Sequence, residues 1–130
     1  MIKIIIPRNP TPKNDKARWT PKGNHWYSPK GKECDDIGWE IYCQYRDQCK
    51  AQGIKLRDPS KPLRPKVHFY YKLKRGPGPD RVNLEQFLLD ALQKSAIVTN
   101  DRIVFVSYDG DGLTISKDIV GRTVIEIDEG

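Results

Sequence analysis

The chain has little that would build a secreted or membrane-embedded scaffold. Its three cysteines, Cys34, Cys43 and Cys49, are odd in number and contain no Cys-x-x-Cys pair. That argues against a disulfide framework and for the reducing cytoplasm. His25 stands near them, but cysteine spacings of nine and six match no usual zinc knuckle. A free cysteine behaves as a small hydrophobe, so Cys43 or Cys49 is expected to pack inward on a helix. No apolar run approaches the roughly eighteen residues that cross a bilayer, so no membrane partner is expected. The opening MIKIII is too short for a signal-peptide core and runs straight into PRNPTPK; it reads as a first strand. No internal repeat is visible.

What is present is an ordinary folding composition with an uneven charge. At 130 residues and 15.0 kDa, 37% hydrophobic and 31% charged, the chain is expected to form a single domain over residues 1–130. Residues 1–75 carry 18 Lys and Arg against 7 Asp and Glu, whereas residues 76–130 carry 5 against 10. A basic half can meet a polyanion such as DNA, and an acidic half can hold cations or be solvated.

IKIII (2–6) is a short β-rich run that indicates a strand, stopped by Pro7. A basic, Pro/Lys-rich stretch at about 8–33 follows, with five prolines between residues 7 and 29 that argue against regular structure. In it Arg8, Lys13, Lys16, Arg18 and Lys22 are candidate phosphate contacts, and an aromatic such as Trp19, Trp26 or Tyr27 is a candidate stacking platform. The bland reading is a surface loop whose aromatics cap the core. Lys74 and Arg75, just ahead of a KRGPGPD turn, extend the basic set. Ile37, Ile41, Tyr45 and Gln48 or Cys49 recur at helical spacing over about 35–52, with Gly53 as a stop. Val67, Phe69, Tyr71 and Leu73 alternate as one face of a half-buried strand. Leu84, Leu88, Ala91 and Leu92 mark a second helix from about Val82 to Lys94, with Asn83 and Gln86 resembling a capping box and Asp80 as the alternative cap. IVFVSY (103–108) is expected as a strand, DGDG (109–112) as a hairpin turn, and LTI (113–115) and TVIEI (123–127) as further strands. The order β-α-β-α-β-β makes an α+β fold, two main helices on one face of a mixed sheet.

Chemistry concentrates around the second helix. Asp80, Asn83, Phe87 and Asp90 recur at three- or four-residue intervals and are expected to share a side. Asp101 is expected just ahead of the next strand. If the helix mouth lies beside that strand, two carboxylates can hold an oxygen-liking ion such as Mg2+. Such an ion can activate water and stabilise a leaving oxygen in phosphodiester hydrolysis. A capping Asp and a lone Asp beside a strand are, however, both common without any metal.

The segment PDRVNLEQFLLDAL, followed by VTNDRIVFV, resembles the signature of the RusA family of Holliday junction resolvases. There an Asp-x-Asp-Asn-Leu stretch opens a helix ending in Asp-Ala-Leu, and a second acidic pair follows. PRNPTPK and YSPKGKE are similar to the family's opening strand and the lead into its first helix. The resemblance implies a RusA-like two-layer fold and a small cytoplasmic homodimer. It also implies binding of four-way DNA junctions and cleavage with Mg2+, for which Mn2+ can substitute. On it, Asp80 and Asp101 fall on catalytic, metal-binding positions, with Asn83, Asp90, Asn100 and Gln86 in support. Two positions depart from the pattern: Val82 stands where a second catalytic Asp is expected, and Gln86 where a Lys is. A valine removes two ligand oxygens and a charge, and a glutamine removes a cation able to balance the acids. Another carboxylate, Asp111, Asp109, Glu85 or Asp90, is a candidate replacement ligand, although Asp109 and Asp111 also read as plain turn residues.

Three functions follow. The first is a structure-selective endodeoxyribonuclease resolving Holliday junctions in recombination and repair, weakened at its metal site. The second is a catalytically impaired, DNA-binding relative of the same fold, and the third a structural or protein-binding α+β domain with incidental acids.

Overall fold

The computed structural model describes residues 1–12, 18–20, 25–27 and 30–128, and no side chain between residues 13 and 30. In chain order the elements are β1 (Ile2–Ile6), β2 (Arg18–Thr20), β3 (His25–Tyr27), α1 (Lys30–Gln52), β4 (Lys66–Lys72), α2 (Arg81–Lys94), a 3-10 turn (Asp101–Ile103), β5 (Ser107–Ser116) and β6 (Arg122–Ile127). Four strands form a mixed sheet in the order β1-β6-β4-β5. β6 runs antiparallel to both its neighbours, while β4 and β5 are parallel, joined by the α2 crossover. This is the α+β architecture expected, a mixed sheet with two packed helices.

Alternation places the core. Ile2, Ile4 and Ile6 of β1, Val67 and Phe69 of β4, and Ile125 and Ile127 of β6 point to the helices and are buried. Against them lie Ile37, Ile41, Tyr45 and Cys49 of α1 and Leu84, Phe87, Leu88, Ala91 and Leu92 of α2, all in one hydrophobic cluster. Cys49 is thus the inward cysteine, together with Cys34; Cys43 is half-buried. Among the described residues no helix is long and apolar enough to cross a membrane.

The α1–β1 seam is polar and saturated. Gln44, Gln48 and Gln52, one turn apart, face the outer edge of β1 and act as a surrogate strand. Gln44 exchanges bonds with Ile5 N (3.0 Å) and Ile5 O (2.7 Å), Gln48 does so with Lys3 N (2.9 Å) and Lys3 O (2.5 Å), and Gln52 Nε2 donates to Met1 O (3.1 Å). An edge that would template pairing with another chain is thereby covered. Asn9 does likewise at the far end of β4, where Lys72 N donates to its Oδ1 (2.7 Å) and its Nδ2 donates to Lys72 O (3.0 Å). The helices approach closely at Gly38, where a Cβ would lie 2.8 Å from Lys94 Cβ and 3.0 Å from Ala91 O.

Several expectations need correction. The basic stretch contains a two-stranded hairpin, with Arg18 opposite Tyr27, Trp19 opposite Trp26 and Thr20 opposite His25. Its strand-favouring Trp, Thr and Tyr residues lie between the prolines, which fall outside the paired positions. α1 begins at Lys30 rather than near 35, since the Gly31 and Lys32 positions do not stop it. IVFVSY is not a continuous strand. Before β5 starts at Ser107, residues 103–106 make an isolated bridge between Val104 and Leu63, with Leu63 N donating to Ile103 O (2.9 Å) and Phe105 N to Leu63 O (2.8 Å). Pro62 and Pro65 flank Leu63 and offer no N–H, so the ladder cannot extend until Ser107.

DGDG is likewise no hairpin turn. Tyr108 pairs with Val67 and Leu113 with Phe69, so residues 109–112 bulge out of one strand while β4 spends a single residue, His68. Gly110 (φ 61°) and Gly112 (φ 70°) supply the left-handed conformations the bulge requires.

Candidate functional site at the mouth of the second helix

α2 starts with Asp80, whose extended backbone (φ −89°, ψ 162°) and carboxylate make it the N-cap: Oδ1 accepts from Asn83 N at 2.9 Å. The cap is therefore Asp80, and Asn83 with Gln86 forms no capping box. The expected shared side also divides. Phe87 turns into the core, while Asp80 is exposed and Asn83 and Asp90 are half-buried; Gln86 is exposed.

Val82 does not pack at the helix start. It is 55% exposed, on the outer side of the first turn of α2. Nothing in the core requires an apolar residue there, and a carboxylate at this position would stand in water near the positive end of the helix.

Next to the mouth lies a polar cluster that sequence reasoning passed over. Arg81 Nη1 donates to Asp111 O (2.9 Å), tying α2 to the β5 bulge, and its guanidinium lies 4.3 Å from the centre of the Tyr108 ring. The Tyr108 hydroxyl and Arg81 Nε are shielded from water without a hydrogen bond of ordinary geometry. Burial, and then the neighbouring Glu85 carboxylate, push the Tyr108 phenol well above its ordinary range, opposed by Arg81. The signal available in the sequence was the pairing of an Arg inside PDRVN with a Tyr directly before DGDG, but only the fold brings them together. Asp111 joins this cluster through its backbone carbonyl, and its side chain is exposed.

Asp101 opens the 3-10 turn rather than a strand. Asn100 caps that turn, its Oδ1 accepting from Arg102 N at 2.9 Å, a structural task for a residue expected to support the acids. The turn packs against α2, the helix that Asp80 caps. Among the described residues, however, no group of three or more His, Cys, Asp or Glu is placed to hold a metal ion. As donors for Mg2+, Asp80 and Asp101 offer two carboxylates, the sparse kind of set that water and phosphate oxygens have to complete. One Asp80 oxygen is already engaged in the cap.

Of the candidate DNA contacts, Lys13, Lys16 and Lys22 lie outside the described residues, as does the side chain of Arg18. Arg8 is ion-paired with Glu40 at 2.7 Å. Lys74 and Arg75 are exposed in the loop that leads into the α2 mouth. No protein-family model matches the chain, and no curated protein matches it either.

Proposed function

We propose that the chain is a RusA-like DNA-junction protein: a homodimer that grips four-way junctions through phosphates and whose Mg2+-dependent strand cleavage is weakened at position 82. The observation that carries this reading is Val82, an exposed valine on the first turn of a helix capped by a carboxylate. Exposed apolar residues at a polar helix mouth gain nothing from packing. The side chain stands instead where the resemblance expects a second acid, so the site lacks a ligand while the helix that would present it remains intact. Lys74 and Arg75 just before this mouth, and the basic excess of residues 1–75, support a phosphate-directed grip. Asp80 and Asp101 would hold the ion, whose chemistry is to activate water and offset charge on the departing oxygen.

The test uses labelled four-way junction and linear duplex with Mg2+ or Mn2+. The chain is expected to prefer the junction and to cut it feebly, and Val82→Asp with Gln86→Lys to raise cleavage by at least tenfold. Asp80→Asn keeps a good N-cap while removing the charge, so loss of cleavage in that variant, with unchanged thermal stability, reports on chemistry and not on folding. Equal affinity for junction and linear duplex would overturn the proposal and favour a protein-binding domain. Junction binding with no cleavage by any variant would leave the impaired DNA-binding relative as the better description.

A further inference from the structure

The face of the sheet turned away from the helices carries basic and aromatic side chains in one line. Along β4 and the extended residues that lead into it, Leu63, Pro65, Val67 and Phe69 are buried, so Arg64, Lys66, His68, Tyr70 and Lys72 take the opposite side. From Arg64 to Tyr70 is six positions, about 20 Å of extended chain. Two places on this line hold a cation over a ring. The Arg64 guanidinium lies 4.9 Å from the centre of Phe105, which is 49% exposed, and that of Arg122 lies 3.8 Å from the centre of Tyr70. His68 completes the second stack, its ring centre 4.4 Å from that of Tyr70 and its Nε2 2.8 Å from Thr114 Oγ1. Arg122 is anchored as well, since its Nη1 donates to Val120 O (3.2 Å).

We infer that this face is a binding site for single-stranded DNA. Bases stack on the Arg122–Tyr70–His68 and Arg64–Phe105 platforms, and Lys66 and Lys72 meet the phosphates. Stacking on rings and guanidinium planes requires bases with a free face, which a single strand offers and a duplex does not. A planar guanidinium already seated on a ring extends the stack outward, and its anchoring at Val120 means that little order is lost when a base arrives. The exposed lysines set positive charge along a line, as a phosphate backbone requires, and Glu126, in register with both Lys3 and Lys66, is outnumbered on this face. The β5 hydroxyls beside the row are already engaged, Thr114 with His68 and Ser116 as acceptor from Asp118 N (3.1 Å). Nothing there is set aside for the ribose 2′-hydroxyl by which RNA is told from DNA, so the occupant is a DNA strand. The site uses neither the α2 mouth nor a metal, and it does not rest on Val82 or on the junction reading.

The test is fluorescence anisotropy of a labelled oligothymidylate of about twelve nucleotides, titrated with the full chain. A duplex of equal length and polyglutamate should each compete at least tenfold less well than unlabelled single strand. Tyr70→Ala and Phe105→Ala should each weaken the single strand about tenfold, the worth of one stacked base, while Tyr70→Phe, which keeps the ring, should bind as the parent does. Phe105 is exposed, so its variant reads the site even if Tyr70→Ala disturbs the sheet; circular dichroism checks both. Affinity for a four-way junction, measured on the same variants, should be unchanged. A parent with no affinity for the oligothymidylate, alanine variants that bind it as the parent does, equal competition by duplex or polyglutamate, tighter binding of an oligouridylate of the same length, or a loss in Tyr70→Ala that the junction shares in equal measure would each overturn the inference. Absence of junction binding with these single-strand results intact would sink the nuclease reading and leave this site standing.

Discussion

The two helices are held to the same sheet by different means. α1 is locked to β1 by glutamine side chains that satisfy the strand edge bond for bond, and its centre is pressed against α2 at Gly38. The mouth of α2 rests instead on Arg81, Tyr108 and a glycine bulge, and leaves Arg81 Nε and the Tyr108 hydroxyl shielded from water without a hydrogen bond of ordinary geometry, the hydroxyl beside the Glu85 carboxylate. The first seam is what a fold builds for stability, since the N–H and C=O groups of Lys3 and Ile5 on the strand edge are each paired with a glutamine amide. The second tolerates unpaired polar groups and left-handed backbone, features that cost free energy and that cluster at sites kept for something other than stability. Removing a contact at the first seam should therefore cost more than removing one at the second.

The largest effect is expected at the helix crossing. Gly38→Val would drive a branched side chain into Lys94 Cβ and the Ala91 carbonyl, both already at or within 3.0 Å of where a single Cβ would sit. Separating the helices would open the core around Ile37 and Leu88, so a loss of about 3 kcal/mol in urea unfolding is expected. A loss below about 1 kcal/mol would mean that the two helices slide freely and that the contrast between the seams is overstated.

A smaller effect should follow at the bulge. Gly112 has φ 70°, and a Cβ there would overlap the Tyr108 ring and approach Tyr108 Cβ at 2.9 Å. Gly112→Ala is expected to cost about 2 kcal/mol, from the left-handed backbone and from displacement of Tyr108. Gly110, with open space around its Cβ position, should tolerate alanine better despite its similar φ. Equal costs at the two glycines would show that backbone conformation alone, and not the seating of Tyr108, governs the bulge.

These two regions also differ in how much of them the sequence discloses. The first seam was legible in outline: a β-rich run located β1, and helical spacing picked out Ile37, Ile41 and Tyr45, with Gln48 or Cys49 left open, without any knowledge of the partners. Periodicity records which side of an element is buried, and that is a local property. The edge-capping role of Gln44, Gln48 and Gln52 is written at the same spacing, but it has meaning only once β1 is known to be the edge. The α2 mouth was legible as a helix start with Asp80 as one of two candidate caps. The bulge was not, because Asp-Gly repeats carry the same turn chemistry whether the chain reverses or loops out and continues. What decides is the parallel pairing of Tyr108 and Leu113 with β4, some forty residues away. The misplaced strand at 103–106 has a similar origin, since its ladder is cut short by Pro62 and Pro65 on the opposite segment. Val82 was legible as a departure from the resembling pattern but not as an exposed one, since its exposure depends on nothing packing above it.

The smallest effect, and the sharpest contrast with the first seam, belongs to Tyr108→Phe. The variant keeps the ring under Arg81 and removes a hydroxyl whose one polar neighbour, Glu85, does not meet it in ordinary hydrogen-bond geometry, so at neutral pH it should change stability by no more than about 1 kcal/mol. Deleting a polar atom at the first seam, as in Gln48→Leu, would instead strand Lys3 N and Lys3 O. The alkaline limb gives a second reading. In the folded protein the phenol is held above its ordinary 10.0 by burial and by Glu85, so from about pH 10 upward the unfolded chain loses this proton while the folded chain keeps it. Fewer protons on the unfolded state means that stability falls as pH rises; the contribution is whole below pH 10 and is lost on the way up to the folded value. Tyr108→Phe should flatten that fall relative to the parent when urea midpoints are compared between pH 8 and pH 11. Parallel curves would place the Tyr108 hydroxyl in water, and with it would go the claim that the α2 mouth encloses polar groups the fold does not satisfy.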